Sequence, residues 1–350
     1  MITGVNKVNS DKDYRKIFLD SSSSLKDFSM DRRKYFKKYL CNEEVEDEET
    51  QASTMGRIVE TILLEPDLFD DRFHLSACAN TPSGLMLAFV EALYKRTKEA
   101  TDEDGNISLS FEDLSRGAYA DSGFKIAYDT VIKKFEGSDA EIYYNEIRIV
   151  RSKGLTVVTA NDVANGERIV EELKNNPVTK DIVNLVDSKR YTVLNQLQIE
   201  GFEVDGHMFK AMIDKCIIDH KEETIQIYDL KCIWSPEQFY EKYYLYRHAF
   251  LQAYLYFRAA SKYLWNKELQ VYEVLPPKFI VCDSINYYNP LIYTLTLEDL
   301  DDAYDGFEYK GRQYTGVKDL IIDLKWAMEN NVWNISRKNS LSNGVVKLKG

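Results

Sequence analysis

Between residues 191 and 233 apolar and polar residues alternate in three runs, parted by the short polar stretches VDGH and HKEE. Side chains of a strand point alternately to opposite faces, so the pattern predicts three consecutive antiparallel strands at 191–202, 208–218 and 224–233. With HKEE, 220–223, as the loop of the second hairpin, a symmetric hairpin pairs residues whose numbers add to 443. Asp214 then faces Asp229, and Met212 faces Lys231. Directly opposed Cβ atoms lie about 5 Å apart, where like charges are destabilising. Asp229 and Lys231 share one face of their strand, with Leu230 turned away. The flanking AMI, CII and IQIY are residues of a largely buried sheet. Two carboxylates and an ammonium thus converge where water is scarce. A divalent cation would relieve the repulsion, since Mg²⁺ favours carboxylate and carbonyl oxygens. A β-bulge would shift the pair, and two surface aspartates on a wet sheet face are the plain alternative.

Helical periodicity frames this meander. Residues 24–40 predict a helix with Ser24 as N-cap and Leu25, Phe28, Tyr35, Phe36 and Leu40 near one face. A second helix is expected over 53–65, closed by Pro66. The acidic run EEVEDEE, 43–49, reads as a solvated loop. Residues 83–185 read as mainly helical, with a turn cluster at 101–108. After the strands, WSPEQF predicts a capping box with Ser235 as N-cap, Pro236 at the first helical position and Gln238 three after the cap. The helix it opens runs from 236 to about 262, with Tyr240, Tyr244, His248, Gln252 and Tyr256 spaced by four. Further strands are expected at 278–283 and 291–296, and a last amphipathic helix at about 317–330. Helices before and after a strand meander predict an α/β chain, a mixed central β-sheet flanked by helices, with a largely helical insertion. The expected division of this one domain is 1–73 for N-terminal core helices, 74–190 for the insertion, 191–335 for the sheet and its helices, and 336–350 for a basic flexible tail.

Composition narrows the function classes. The 350 residues carry a net charge of −12, which excludes a generally basic, nucleic-acid-coating surface but not a local basic groove. No apolar run approaches the roughly 20 residues that span a bilayer, and the N-terminus has no apolar signal core. A cytoplasmic protein without a membrane partner is expected. The five cysteines, Cys41, Cys78, Cys216, Cys232 and Cys282, are scattered with no CxxC pair. Reduced thiols are expected, with no iron–sulfur cluster, zinc ribbon or disulfide framework.

MGRIVETILLEPDLFDDRF, then AMID, then YDLK, then FLQAYLY resembles the RecB-like branch of the PD-(D/E)xK nuclease superfamily. The chain is most similar to the RecE-type (exodeoxyribonuclease VIII-like) exonucleases of phages and prophages. That branch carries a GxxxH helix, an Asp strand, a (D/E)xK strand and a QxxxY helix. Their counterparts are Gly56–Glu60, Asp214, Asp229–Lys231 and Gln252–Tyr256. The stretches SSSSLKDFSMDRRKYFKKYL, LTVVTANDVANGERIVEELKNNP and NVWN extend the likeness over most of the chain. Three positions depart from the pattern. Glu60 replaces the histidine, Cys232 replaces a threonine, and Gln196 stands where close relatives carry a strand glutamate.

The resemblance implies a restriction-endonuclease-like core. It implies a Mg²⁺- or Mn²⁺-dependent exodeoxyribonuclease, phage-encoded and working in the bacterial host cytoplasm. The substrate would be ends of linear double-stranded DNA, digested to single-stranded tails for recombination. Asp214, Asp229, the Leu230 carbonyl and Glu60 would be metal ligands. Lys231 would position the attacking water or stabilise the transition state. Gln252 and Tyr256 would orient substrate or lysine, and Gly56 would let backbone or DNA come close. DNA contacts would come from Arg32, Arg33, Lys37, Lys38, Lys210, Arg247 and His248, although for any single one of these cations a solvated helix face is the plainer reading. Implied partners are further copies of the chain in a ring and a single-strand annealing protein. Alternatives stay open: a CRISPR-type trimming nuclease, which would usually show cluster cysteines; a non-catalytic DNA-end-binding protein on a degenerate nuclease fold; and a structural protein with an incidental DxK.

Overall fold

The computed structural model describes residues 11–43, 51–78, 80–286 and 289–346; the expected acidic loop, apart from Glu43, and the last residues of the tail lie outside them. The chain divides into two compact units, one made of 1–60 with 171–350 and the other of 61–170. Both junctions fall inside helices rather than at 74 and 190.

The larger unit is built on a mixed sheet. Its main strands are β1 (Tyr191–Val204), β2 (His207–Asp219), β3 (Thr224–Ile233), β4 (Lys278–Asp283) and β5 (Leu291–Thr294), in that spatial order. Neighbours are antiparallel except β3 and β4, which run parallel. The two-residue strand Glu273–Val274 also pairs parallel to the start of β3. Between it and β4 lie Pro276 and Pro277. Prolines cannot donate to a ladder, and the Gln226 side chain bridges the gap by donating to the Pro276 carbonyl at 2.8 Å.

The β2–β3 register is the expected one: Asp219↔Thr224 through Lys215↔Tyr228. The four-residue turn between them is pinned at its base. Asp219 accepts from the Lys221 and Glu222 amides at 2.9 and 3.2 Å and from Arg190. His220 meets Thr192 Oγ1 at 2.8 Å and Tyr272 OH at 3.0 Å. In β1 a bulge falls between Glu200 and Phe202, where Gly201 takes a φ of 68° that a side chain would disfavour.

Four helices bear on the sheet and the site: α1 (Ser22–Met30), α2 (Gln51–Leu64, of which the part up to Glu60 belongs to this unit), α3 (Ala249–Asn266) and α4 (Val317–Asn330). The core joins Leu25 and Phe28 of α1, the inward residues Phe209, Ile213, Ile225 and Ile227, the α3 residues Phe250, Leu251, Leu255 and Ala259, and Leu320 and Leu324 of α4, all buried. α2 and α4 match their expected spans closely; the expected helices at 24–40 and 236–262 do not survive intact. In the first, Ser21 rather than Ser24 is the N-cap, and the two serines form the capping box. Asp31 then interrupts the helix and caps a new turn by accepting from Arg33 and Lys34 amides at 2.9 and 3.3 Å. A π-helical turn over Phe36–Leu40 follows. In the second, Ser235 makes no side-chain cap bond. A 3₁₀ turn, Pro236–Gln238, and a π-helical run, Tyr240–Leu245, precede a break at His248, whose φ is 54°. The wider π turn and the break at His248 divide the stripe spaced by four: Tyr240 and Tyr244 still stack, their ring centroids 5.5 Å apart, and Gln252 and Tyr256 share a face of α3. β5 ends at Thr294, and Thr296 instead caps the helix Leu297–Asp305.

The smaller unit is largely helical, as expected. The helices Gly84–Glu99, Phe111–Ser122, Tyr128–Phe135 and Asp139–Val150 enclose a core containing Phe89, Leu93, Leu114, Phe135, Tyr144 and Ile147. It also holds a short parallel strand pair, Phe73–Leu75 with Thr156–Val158, that hydrophobic patterning did not reveal. Among the described residues no helix is long and apolar enough to cross a membrane.

Candidate functional site

Asp214 stands outside the hydrogen-bond ladder on both sides. The β1–β2 ladder passes from Asn195↔Lys215 to Leu197↔Ile213 and omits the Gln196/Asp214 position. The β2–β3 ladder stops at Lys215↔Tyr228, one step short of Asp214/Asp229. A buried backbone amide freed in this way needs another acceptor. The Leu230 amide finds it in Asp214 Oδ2 at 2.7 Å. The carboxylate thereby bridges two strands that would otherwise separate.

Asp229 is 2 % exposed. Its Oδ1 accepts from Gln252 Nε2 at 2.8 Å, and the same amide donates to Tyr256 OH at 2.8 Å. Gln252 and Tyr256 are one α3 turn apart and so reach the same point. Asp229 Oδ2 lies 2.5 Å from Lys231 Nζ as an ion pair, yet it is buried without a partner in hydrogen-bonding geometry. Across the ladder gap, Gln196, whose own φ is 50°, donates Nε2 to Glu60 Oε1 of α2 at 2.5 Å. A left-handed φ at a non-glycine residue is uncommon and concentrates at functional positions.

Electrostatics bind these groups into one set. Burial, then the charges of Asp229 and Glu60, push the Asp214 carboxyl well above the usual carboxylate range. Burial disfavours the Lys231 ammonium, but Asp229 and Asp214 outweigh it and raise its pKa. Burial, then Asp229 and Asp214, hold the Tyr256 phenol firmly protonated. Lys26 of α1, not singled out from sequence, belongs to the same field. Burial and then the Lys231 charge lower its pKa, while Asp27 and Asp229 raise it. In the sequence it looked like an ordinary polar residue of an amphipathic helix.

The expected DNA-contacting cations scatter. Lys210 is 8 % exposed. Its ammonium donates to the carbonyls of Tyr14, Arg15 and Ile17 at 2.9, 3.3 and 2.8 Å, so it holds the N-terminal segment and has no donor left for phosphate. Arg32 pairs with Asp323 and covers the Phe28 ring. Lys38 pairs with Asp27 at 3.4 Å. His248 meets Ser29 Oγ at 3.0 Å, and burial, then Arg312 and Lys26, push its imidazole down to about 4. It is therefore neutral at physiological pH. Arg33, Lys37 and Arg247 remain exposed, Arg247 over the Tyr243 ring. A Cβ on Gly56 would lie 3.9 Å from the Cys232 Cβ, an ordinary contact, so packing within the chain does not demand a glycine there.

Among the described residues no group of three or more His, Cys, Asp or Glu side chains is arranged to hold a metal ion. Two carboxylates suffice for Mg²⁺, which commonly keeps waters and substrate phosphate oxygens as its other ligands. The mutual repulsion of Asp214 and Asp229, which the Lys231 ammonium against Asp229 Oδ2 offsets only in part, is the feature such a cation would answer. Glu60 is turned to an amide donor and contributes its charge.

No protein-family model matches the chain, and no curated protein matches it. Among solved structures it is similar to a candidate exonuclease from Eubacterium rectale, at 12% identity and a TM-score of 0.46, over 100% of this chain and 96% of that one. A likeness this low carries no argument about function, which rests on the site itself.

Proposed function

We propose that the chain is a metal-dependent deoxyribonuclease with a PD-(D/E)xK-type site, acting on the ends of linear double-stranded DNA. One observation carries the reading: Asp214 and Asp229 project from adjacent strands at the point where their ladder stops, with Lys231 on Asp229. A fold has no structural need to crowd a buried carboxylate, Asp229, against a half-buried one, Asp214, because like charges away from water oppose folding.

In this reading Asp214, Asp229 and the Leu230 carbonyl hold Mg²⁺ or Mn²⁺. When bound, such an ion lowers the pKa of a water and neutralises phosphate charge. Lys231 stays protonated through its carboxylate neighbours and offers an ammonium to the water or the scissile phosphate. Gln252 holds Asp229 Oδ1 in place and is itself oriented by Tyr256. Lys26 adds positive potential on the α1 side. Single-stranded products for recombination, assembly into a ring, an annealing partner and a phage origin belong to the same proposal and draw on the motif resemblance.

The test is linear duplex DNA labelled at either end, with Mg²⁺ or EDTA, beside a closed circle. Metal-dependent loss of linear DNA with spared circles is expected, falling about 10²–10³-fold in Lys231→Ala, the scale of losing one transition-state donor. No cleavage by folded protein with Mg²⁺ or Mn²⁺ would refute the reading. A second reading, a non-catalytic binder of DNA ends, is favoured by the Glu60–Gln196 bond, which engages the candidate third carboxylate. Binding of ends without cleavage would support it.

A further inference from the structure

Cys232 and Cys282 are direct cross-strand partners on the parallel strands β3 and β4. Lys231 separates Cys232 from the DxK leucine, and the Lys231 carbonyl accepts from Cys282 Sγ at 3.5 Å. Cys282 is 2 % exposed, whereas Cys232 is only half-buried. Neighbouring strands lie about 4.8 Å apart. That places the paired Cα atoms within the 4.4–6.8 Å or so that disulfides span. Disulfide Cβ atoms must approach to about 3.5–4.5 Å, so closing this bond would draw β3 and β4 together beside Lys231. A bond closed against such strain is more readily reduced than a relaxed one.

We infer that Cys232 and Cys282 form a reversible oxidation site, closed to a disulfide by peroxides and reopened by dithiols. Cys232, the accessible sulfur, attacks the peroxide O–O bond, becomes a sulfenic acid and releases water. Cys282 then displaces the sulfenic oxygen, its proton leaving with that oxygen as a second water. Overall two thiols lose two electrons and one hydrogen peroxide becomes two waters. The disulfide removes the Cys282 thiol donor from the Lys231 carbonyl and shifts the strand that carries Asp229 and Lys231. The redox site stands on the geometry of the pair; its effect on hydrolysis rests on the nuclease reading.

The experiment uses the full chain with Cys41→Ser, which removes the exposed thiol. Protein is treated with hydrogen peroxide, its remaining thiols are blocked with N-ethylmaleimide, and the product is analysed by intact mass and peptide mapping. The expected product has lost two hydrogens, yields a Cys232–Cys282 cross-linked peptide, and returns to the starting mass with dithiothreitol. Added Cys232→Ser or Cys282→Ser abolishes the cross-link. The first also abolishes sulfenic-acid labelling by dimedone, and the second leaves that label on Cys232. Full alkylation of both thiols after peroxide, or stepwise over-oxidation of Cys232 without a cross-link, would overturn the inference. DNA hydrolysis is expected to fall several-fold on oxidation and recover on reduction; unchanged activity in cross-linked protein would overturn the regulatory part. A cross-link in a protein inactive even when reduced would refute the nuclease reading and leave the thiol site standing.

Discussion

Replacing Asp214 by asparagine separates function from stability more cleanly than any other substitution at the site. The amide oxygen can still accept the Leu230 N–H that Asp214 Oδ2 now holds at 2.7 Å. What disappears is a negative charge facing Asp229. At the spacing of opposed strand residues, about 5 Å, and an effective dielectric of about 20, that repulsion is worth about 3 kcal/mol. The Lys231 ammonium offsets part of it, so a net gain of about 1–2 kcal/mol is expected in metal-free buffer, or about 2–6 °C in Tm. The pH dependence has a definite sign. The folded Asp214 pKa is raised, so the wild-type penalty is absent below the ordinary carboxylate range and grows as pH rises above it. The Asp214→Asn advantage must follow the same course. Calorimetry in EDTA at pH 4 and pH 8, then with Mg²⁺, checks all parts. Mg²⁺ should raise the wild-type Tm and leave the variant unmoved, because ligands that bind the native state stabilise it. A variant less stable than wild type at pH 8, or equally stabilised by Mg²⁺, would refute the reasoning.

Three other outcomes follow from the same geometry. Lys210→Ala should destabilise the protein by about 2–3 kcal/mol, through its lost bonds to three carbonyls, while leaving the salt dependence of DNA binding unchanged; a shallower salt slope would return Lys210 to the DNA interface. Lys215 is 5 % exposed, and burial lowers its pKa to about 8. Its penalty is therefore complete below pH 8 and vanishes above about 10.5, so Lys215→Met should stabilise by up to about 3 kcal/mol at pH 7 and by nothing at pH 11, as denaturant titrations at both pH values would show. Gly306 has a φ of 90°, and a Cβ there would fall 2.8 Å from the Tyr314 carbonyl oxygen, so Gly306→Ala should cost at least about 2 kcal/mol by the same titration.

The hairpin register was legible because it follows from two local facts, strand alternation and the length of one turn. The same two facts carried Asp214, Asp229 and Lys231 to one place. The π-helical run over Tyr240–Leu245 was not legible. Five aromatic and charged residues followed by Leu245 satisfy a period of 3.6 and a wider turn equally well, and tertiary packing chooses. The fate of Lys210 depended on carbonyls nearly two hundred positions away, which no window along the chain contains. Lys26 was hidden for a related reason. Apart from the charge of Asp27 beside it, its field comes from residues of other elements, Lys231, Asp229 and Arg247, whereas its neighbours in sequence make it look like a solvated polar position. The Cys232–Cys282 pairing required the offset across two prolines and a parallel crossover, where no turn sets the register. Local chemistry was thus readable where a short loop set distance, and unreadable where the fold did.

The turn at 220–223 bears on this more than its surface position suggests. It contains no residue of the site, yet it acts as the ruler from which the site is counted. One residue inserted there would slide β2 past β3 by a step and turn every side chain of the slipped strand to the opposite face. Asp214 would no longer stand across from Asp229, although each strand would keep its composition. The clasp of Arg190, Asp219, Thr192, His220 and Tyr272 at the hairpin base therefore guards a reading frame in space. Loops are ordinarily where a chain tolerates changes in length; at this one, a change in length would be a frameshift for the chemistry several residues up the strands.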